Sequence, residues 1–265
     1  MSGSPEILLT NDDGIDSPGF HALYDALGEV GNVTAVAPAD DQSAVGRSMS
    51  NKVDVEEHEL GYAVHGTPAD CVVAGLQSLG PDPDIVVSGA NKGANLGHYV
   101  LGRSGTVSAA VEAAFFDVPA IAVSLYVPID PDEDRAWSEV EVPKEDYREA
   151  TRAATYLTRH ALGAGVFEQV DYLNVNAPLP GEEPAPLEVT NPSHMYEMDA
   201  TITDGTVSLH DRVWERMASG DIPDPEGTDR RAVVDGRISV SPLTAPHTTE
   251  HHESLDALAQ TYLSE

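Results

Sequence analysis

Two adjacent carboxylates, Asp12 and Asp13, come directly after a short apolar run at residues 7–9 that predicts a buried strand. Neighbouring negative charges at such a place are hard to ionise unless a cation offsets them. Mg²⁺ and Mn²⁺ prefer carboxylate, amide and hydroxyl oxygens to the sulfur and imidazole groups that this region lacks. The pair is therefore a candidate metal site, although taken alone it favours a turn in which one Asp caps the next helix.

Two more polar, glycine-bearing segments follow later strands, at residues 40–50 and 88–106. The second offers the amide oxygens of Asn91 and Asn95, and it ends in hydroxyl residues at a predicted helix start, where unpaired backbone N–H groups favour a phosphate. A flexible loop and an ordinary helix cap would account for the same residues. Because loops at the carboxyl ends of parallel strands meet at one crevice, we expect the three segments to converge.

The elements that would position these residues alternate along the chain. Apolar runs predict strands, and apolar residues at helical spacing predict helices between them. This alternation indicates an α/β fold with a mostly parallel sheet and helices on both faces. The predicted strands lie at residues 7–9, 33–36, 62–64, 85–88, 120–123, 172–176 and 237–241, and the predicted helices at 18–27, 67–73, 106–116, 145–162 and 254–263.

The pattern weakens between residues 181 and 236, where short β-like pieces are separated by Pro, Gly and Asp. We expect no helix with an apolar face there. The segment is therefore predicted to be a β-rich extended arm of a single domain spanning residues 1–265.

The composition limits the partners. The chain has 45 acidic and 14 basic residues and a net charge of −31, which disfavours binding to a nucleic-acid polymer. A small phosphorylated ligand is still compatible if a bound cation supplies the positive charge. Because the acidic residues are spread along the chain, we interpret them as an adaptation to high salt rather than as a surface for a basic partner.

A single cysteine, Cys71, excludes an internal disulfide and is expected to be a buried, inert thiol. No signal peptide or long apolar stretch is apparent, so we expect a cytoplasmic protein without a membrane segment. His251 and His252 could form a second, softer metal site, but without ligand spacing on one helical face they are expected to be solvated. His65 and His98 lie close to the predicted site in sequence, and a structural role accounts for each at least as well as a functional one.

The ordered motifs resemble the stationary-phase survival protein SurE family over nearly the whole chain. The matching segments are residues 7–19, 37–43, 65–72, 88–97, 104–107, 174–178 and 228–243. Arg103 and Ala90 depart from the family pattern, which has an uncharged and a larger aliphatic residue at these positions, so substrate preference does not transfer directly.

This resemblance implies a metal-dependent phosphatase that hydrolyses nucleoside 5′- and 3′-monophosphates, sometimes with short-chain polyphosphatase activity. It also implies a Rossmann-like, three-layer sheet, one Mg²⁺ or Mn²⁺ per subunit, and a homodimer or homotetramer in which the arm at 181–236 is exchanged.

By position, the resemblance also implies roles for individual residues. The implied metal ligands are Asp12, Asp13, Ser43 and Asn91. The implied catalytic residues are Asp12, Asp13, Asn95 and Ser104, with the general base unassigned. The implied phosphate and substrate contacts are Asn11, Asn95, Ser104, Gly105, Thr106, Gly66, Thr67, Pro68 and Asp70.

Three other classes fit less well. A haloacid-dehalogenase-like phosphatase needs two aspartates separated by one residue, whereas Asp12 and Asp13 are adjacent. A dinucleotide-binding oxidoreductase needs spaced glycines after the first strand. A non-enzymatic acidic interaction module is favoured only by the charge.

Overall fold

A nine-stranded sheet forms the centre of the computed structural model, which describes residues 4–128, 140–248 and 253–261. Two more strands form a separate hairpin. The strands are β1 (Glu6–Thr10), β2 (Asn32–Pro38), β3 (Val55–His58), β4 (Gly61–Val64), β5 (Ile85–Lys92), β6 (Ala120–Leu125), β7 (Tyr172–Ala177), β8 (Leu187–Val189), β9 (Met198–Thr203), β10 (Thr206–Asp211) and β11 (Ile238–Leu243).

Helices connect most of the strands, as the alternation along the sequence predicts. They are α1 (Pro18–Gly28), α2 (Pro68–Ala74), α3 (His98–Leu101), α4 (Gly105–Ala114), α5 (Arg148–His160), α6 (Arg212–Ser219), α7 (Asp229–Val234) and α8 (Glu253–Thr261). In the described part of the chain, no helix is both long and apolar enough to span a membrane.

The strand order is β3-β4-β2-β1-β5-β6-β7-β11-β8. The six strands from β4 to β7 run parallel, and β3 and β11 are antiparallel to their neighbours β4 and β7. This is the mostly parallel α/β sheet that the sequence predicts. Its carboxyl-terminal edge brings the ends of β1 and β5 side by side, with Thr10 paired to Ser88.

The two faces of the sheet are covered by different helices. In β1, Ile7 and Leu9 pack on one face with residues of α1 and α5, while Leu8 packs on the other with residues of α2 and α4. Because side chains of a strand alternate between faces, one apolar strand serves both layers. The result is the expected three-layer arrangement.

The polar segment at residues 88–106 is more regular than a loop. Strand β5 continues through the segment as far as Lys92, and the short helix α3 follows before α4. Gly89 has a φ of +134°, and a Cβ there would lie 2.2 Å from the backbone oxygen of Val123. Glycine is therefore required where β5 passes close to β6.

Residues 181–236 contain more helix than the sequence suggested. Strand β8 joins the main sheet, and β9 and β10 form the separate hairpin. The expectation of no helix with an apolar face was wrong, because α6 buries Val213 and Met217 and α7 buries Ala232 and Val233. Only two side chains anchor the eight-residue α6, too short a pattern to stand out in the sequence.

Two adjacent buried charged residues, Asp229 and Arg230, tie this segment to the crevice. The Asp229 carboxylate accepts hydrogen bonds from the backbone N–H groups of Gly97, Ser193 and Arg230. The Arg230 side chain is fully buried and donates to the carbonyl oxygens of Leu96 and Met195. Burial raises the pKa of Asp229, and the hydrogen bonds that it accepts from the three backbone N–H groups partly offset this rise. The pair thus joins the 95–97 loop to α7.

We expect Asp229→Ala to lower the free energy of unfolding by about 3–5 kcal/mol, because it leaves three backbone donors unpaired beside a buried guanidinium. Urea denaturation in concentrated KCl measures the change. Asp221→Ala, at an exposed position, is the matched control and should shift stability by no more than about 0.5 kcal/mol. Equal effects of the two variants would contradict the role of this pair.

Candidate active site

Asp12 is buried at the carboxyl end of β1 and faces the beginning of α4. Its Oδ1 accepts a 2.6 Å hydrogen bond from the hydroxyl of Thr106, and the Thr106 backbone N–H also bonds to this carboxylate. A Cβ on Gly105 would lie 2.7 Å from the Cβ of Asp12, so only glycine permits this approach. The positive end of α4 therefore stabilises the Asp12 carboxylate. Thr106 donates hydrogen bonds to it, and Gly105 leaves room for its close approach.

The backbone N–H of Lys92 donates a 2.7 Å hydrogen bond to the Oδ2 of Asp13. Burial, followed by the charge of Asp12, raises the pKa of Asp13 to about 7. Burial likewise raises the pKa of Asp12 to about 6, against the lowering effect of the Thr106 hydrogen bonds. This environment disfavours two negative charges, and a nearby cation would offset them.

A cavity of about 330 Å³ opens at the ends of β1 and β5. Five of the residues implicated by sequence line it together, although they come from three separate segments of the chain. They are Asp12, Ser43, Asn91, Asn95 and Ser104. Asp13 instead lines a neighbouring cavity of about 670 Å³ with Asp41 and Lys92, which places the carboxylate pair between two cavities.

The donor set fits a hard divalent cation. The Asn91 amide nitrogen donates to the carbonyl oxygen of Gly93, an orientation that leaves the Asn91 Oδ1 as a free acceptor. The Ser43 hydroxyl donates to Asp41, so its lone pairs are also available. No cluster of three or more His, Cys, Asp and Glu residues occurs in the described ranges, so a cation here would depend on amide and hydroxyl oxygens as well as carboxylates.

Asn95 is fixed by residues that sequence reasoning did not single out. Its backbone N–H donates to Asn176 Oδ1, and its carbonyl oxygen accepts from the Asn174 and Asn176 amides. Its own amide nitrogen donates to the Ser124 hydroxyl, so the Asn95 Oδ1 is left as an acceptor. The sequence did contain a signal for these residues. Asn174 and Asn176 lie on one face of the predicted strand at 172–176, and buried amides need hydrogen-bond partners.

The remaining implicated residues do not line the cavity. The Asn11 amide donates to the Gly14 carbonyl and the Ser17 hydroxyl, which braces the turn that carries the aspartates. Thr67 and Asp70 form a reciprocal capping box at α2, together with Pro68 in its first turn and Gly66 just before it. Asp70 also accepts from the backbone N–H of Ser50, which links α2 to the 40–50 segment.

The apolar part of the cavity lining was not predicted. It consists of Val100, Tyr126, Val127 and Trp214, with Arg103 beside them. The Arg103 guanidinium lies 5.3 Å from the ring centre of Tyr99 and forms no ion pair among the described residues. Tyr126 and Trp214 belong to the same apolar cluster, so the lining has an apolar end around these two residues and a polar end around Asp12 and Ser104.

Cys71 is buried and free, and burial raises the pKa of its thiol well above the usual range, in agreement with an inert thiol. His65 lies 3.2 Å from Glu56, and the ring of His98 stacks on that of His194 at 4.2 Å. Neither histidine lines the cavity. His251 and His252 lie outside the described residues.

Comparisons with known proteins identify the family. Residues 7–199 match the family model described as Survival protein SurE. The chain is 68% identical to 5'-nucleotidase SurE of Haloarcula marismortui, over 97% of this chain and 95% of the relative. It is 64% identical to 5'-nucleotidase SurE of Haloquadratum walsbyi, over 99% of both chains.

A solved structure supports the same family assignment. The SurE protein from Aquifex aeolicus superposes with a TM-score of 0.74 at 31% identity, and the match covers 98% of this chain and all of that one. With a cavity assembled at the ends of β1 and β5 and similarity extending over nearly its full length, the chain belongs to the SurE family.

Proposed function

We propose that this chain is a 5′-nucleotidase that releases phosphate from nucleoside 5′-monophosphates, and also from 3′-monophosphates, with one Mg²⁺ or Mn²⁺ per subunit. The observation that carries the proposal is the cavity where a buried carboxylate meets amide and hydroxyl oxygens from three segments. The names of the haloarchaeal relatives support the substrate class.

Asp12, Asp13, Ser43 and Asn91 would hold the cation through oxygen atoms. When bound, such an ion supplies positive charge for the transferring phosphoryl group and lowers the pKa of water. The two aspartates repel each other, and burial disfavours their negative charge, so a cation bound beside them would be favourable electrostatically.

The chain's own residues position the phosphate. The second N–H of the Asn95 amide and the Ser104 hydroxyl are donors at the polar end of the cavity, where they can bind phosphate oxygens. The clamp of Asn174 and Asn176 on the Asn95 backbone keeps that residue in place, so little reorganisation is needed when substrate binds. Arg103 and Lys92 are the cationic residues among the described lining of this cavity, and they offset the overall negative charge.

Asp13→Asn tests the metal site by stability as well as by activity. Because the pKa of Asp13 is higher in the folded than in the unfolded state, its ionisation opposes folding. In metal-free protein this cost grows as the pH rises from about 4 towards about 7 and is complete above that. We expect Asp13→Asn to raise the thermal midpoint in EDTA at pH 8 and to abolish the further rise that Mn²⁺ gives wild type.

The same variant should release phosphate from AMP at least about 100-fold more slowly with Mn²⁺. Asp221→Asn is the control and should match wild type in EDTA and in Mn²⁺. Wild-type thermal midpoints that are identical in EDTA and Mn²⁺, together with unchanged activity in Asp13→Asn, would refute the site. The substrate panel should contain 5′-AMP, 3′-AMP and short-chain polyphosphate, each at low and multimolar KCl.

We also propose that the arm at residues 181–236, part of a single domain, joins two or more copies of the chain. The β9–β10 hairpin places Ala200 and Ile202 opposite Leu209 and Val207 on one face, and three of these side chains are more than half exposed. The other face carries polar residues, among them Thr201, Ser208, Asp199 and His210. A two-stranded ribbon with one exposed apolar face is marginal alone, so a second copy is the occupant we assign to this face.

The double variant Ile202→Glu/Leu209→Glu should lower the molecular mass measured by light scattering towards that of a single chain, because it places charges in the proposed contact. Thr201→Glu/Ser208→Glu adds the same charges to the opposite face and should keep the wild-type mass. A wild-type mass of 28.1 kDa would rule out the assembly.

A further inference from the structure

The two ends of the cavity match the two ends of a nucleotide. Asp12, Asn95 and Ser104 form the polar end, whereas Val100, Tyr126, Val127 and Trp214 form an apolar wall. A nucleoside monophosphate has a charged phosphate and a planar, largely apolar base on either side of a ribose. The metal and phosphate groups account for the polar end only, so the apolar wall needs a separate explanation.

Trp214 is the flat aromatic side chain best placed to contact a base. Its neighbours on α6, Val213 and Met217, are buried in a cluster that includes Tyr126 and Leu96, which anchors the helix. Trp214 itself is only partly buried and lines the cavity. Anchoring by its neighbours leaves part of the indole accessible while restricting its motion.

Tyr126 lines the same apolar end of the cavity as Trp214. The residue is 8% exposed, and its hydroxyl is buried with no hydrogen-bond partner among the described residues. Burial raises the pKa of this phenol to about 12, so it stays neutral and can only donate or accept a hydrogen bond. An unpaired buried hydroxyl beside an apolar wall is suited to a ligand with polar edges, such as a nucleobase.

We propose that Trp214 stacks on the nucleobase of the substrate, making helix α6 of the arm the base-recognition element. The inference rests on the proposed nucleotidase function and assigns its base-binding end. Indole stacking tolerates every base because each has a π face, so Trp214 should favour nucleotides over other phosphomonoesters without strong selection among bases.

The test separates base binding from phosphate binding. We expect Trp214→Ala to raise KM for AMP by about ten-fold or more, the loss typical of removing a stacking partner, with a much smaller change in kcat. Ribose 5-phosphate lacks a base, so the variant loses no stacking contact with it. The inhibition constant of Trp214→Ala for ribose 5-phosphate should therefore stay within about two-fold of the wild-type value. Trp214→Phe should recover most of the AMP affinity.

Tyr156→Ala removes an exposed aromatic side chain from α5 and is the matched control, with unchanged KM expected. An equal loss of AMP and ribose 5-phosphate affinity in Trp214→Ala would show a structural role and overturn the stacking proposal. No AMP hydrolysis by wild type in any metal would instead overturn the nucleotidase function itself.

A second measurement does not depend on the folding of the alanine variant. In a Trp137→Phe background, Trp214 is the remaining tryptophan of the chain. Adenosine should quench its fluorescence in a saturable way, and ribose should not. Quenching that is absent, or equal for the two compounds, would contradict stacking.

Discussion

The burial of Asp12 at the end of β1, with the partly buried Asp13 beside it, is the constraint around which the crevice is built. Removing an ionised carboxylate from water costs several kcal/mol unless hydrogen bonds or opposite charge offset it. Thr106 and the backbone N–H of Lys92 provide the hydrogen bonds from two other elements. These contacts determine where α4 must begin and β5 must end relative to β1. The negative charge that they leave uncompensated favours a bound cation.

The need of buried charged groups for hydrogen-bond partners also connects the crevice to the later part of the chain. Asp229 and Arg230 are buried as charged groups, and their partners are the backbone groups of the loop that carries Asn95. Asn174 and Asn176 hold that residue from β7. Polar contacts from two distant segments therefore fix a loop that apolar packing alone would not define.

The sequence predicted the sheet well because its buried strands are continuous apolar runs with turn residues between them. It also predicted that Asp12, Ser43, Asn91, Asn95 and Ser104 would meet, since strand ends converge in a parallel sheet. Trp214 and α6 were missed because their place in the cavity depends on tertiary packing of two buried side chains, which leaves little periodicity. Thr67 and Asp70 show the reverse, with a visible motif explained locally by a helix cap.

The apolar face of the β9–β10 hairpin has a consequence for where such a chain can work. Each copy has a net charge of −31, so two copies repel one another strongly in dilute buffer. At 1 M salt the screening length falls to about 3 Å, and only the short-range apolar contact is felt. The proposed assembly through this face should therefore depend on high salt, because dilution restores the repulsion between the copies.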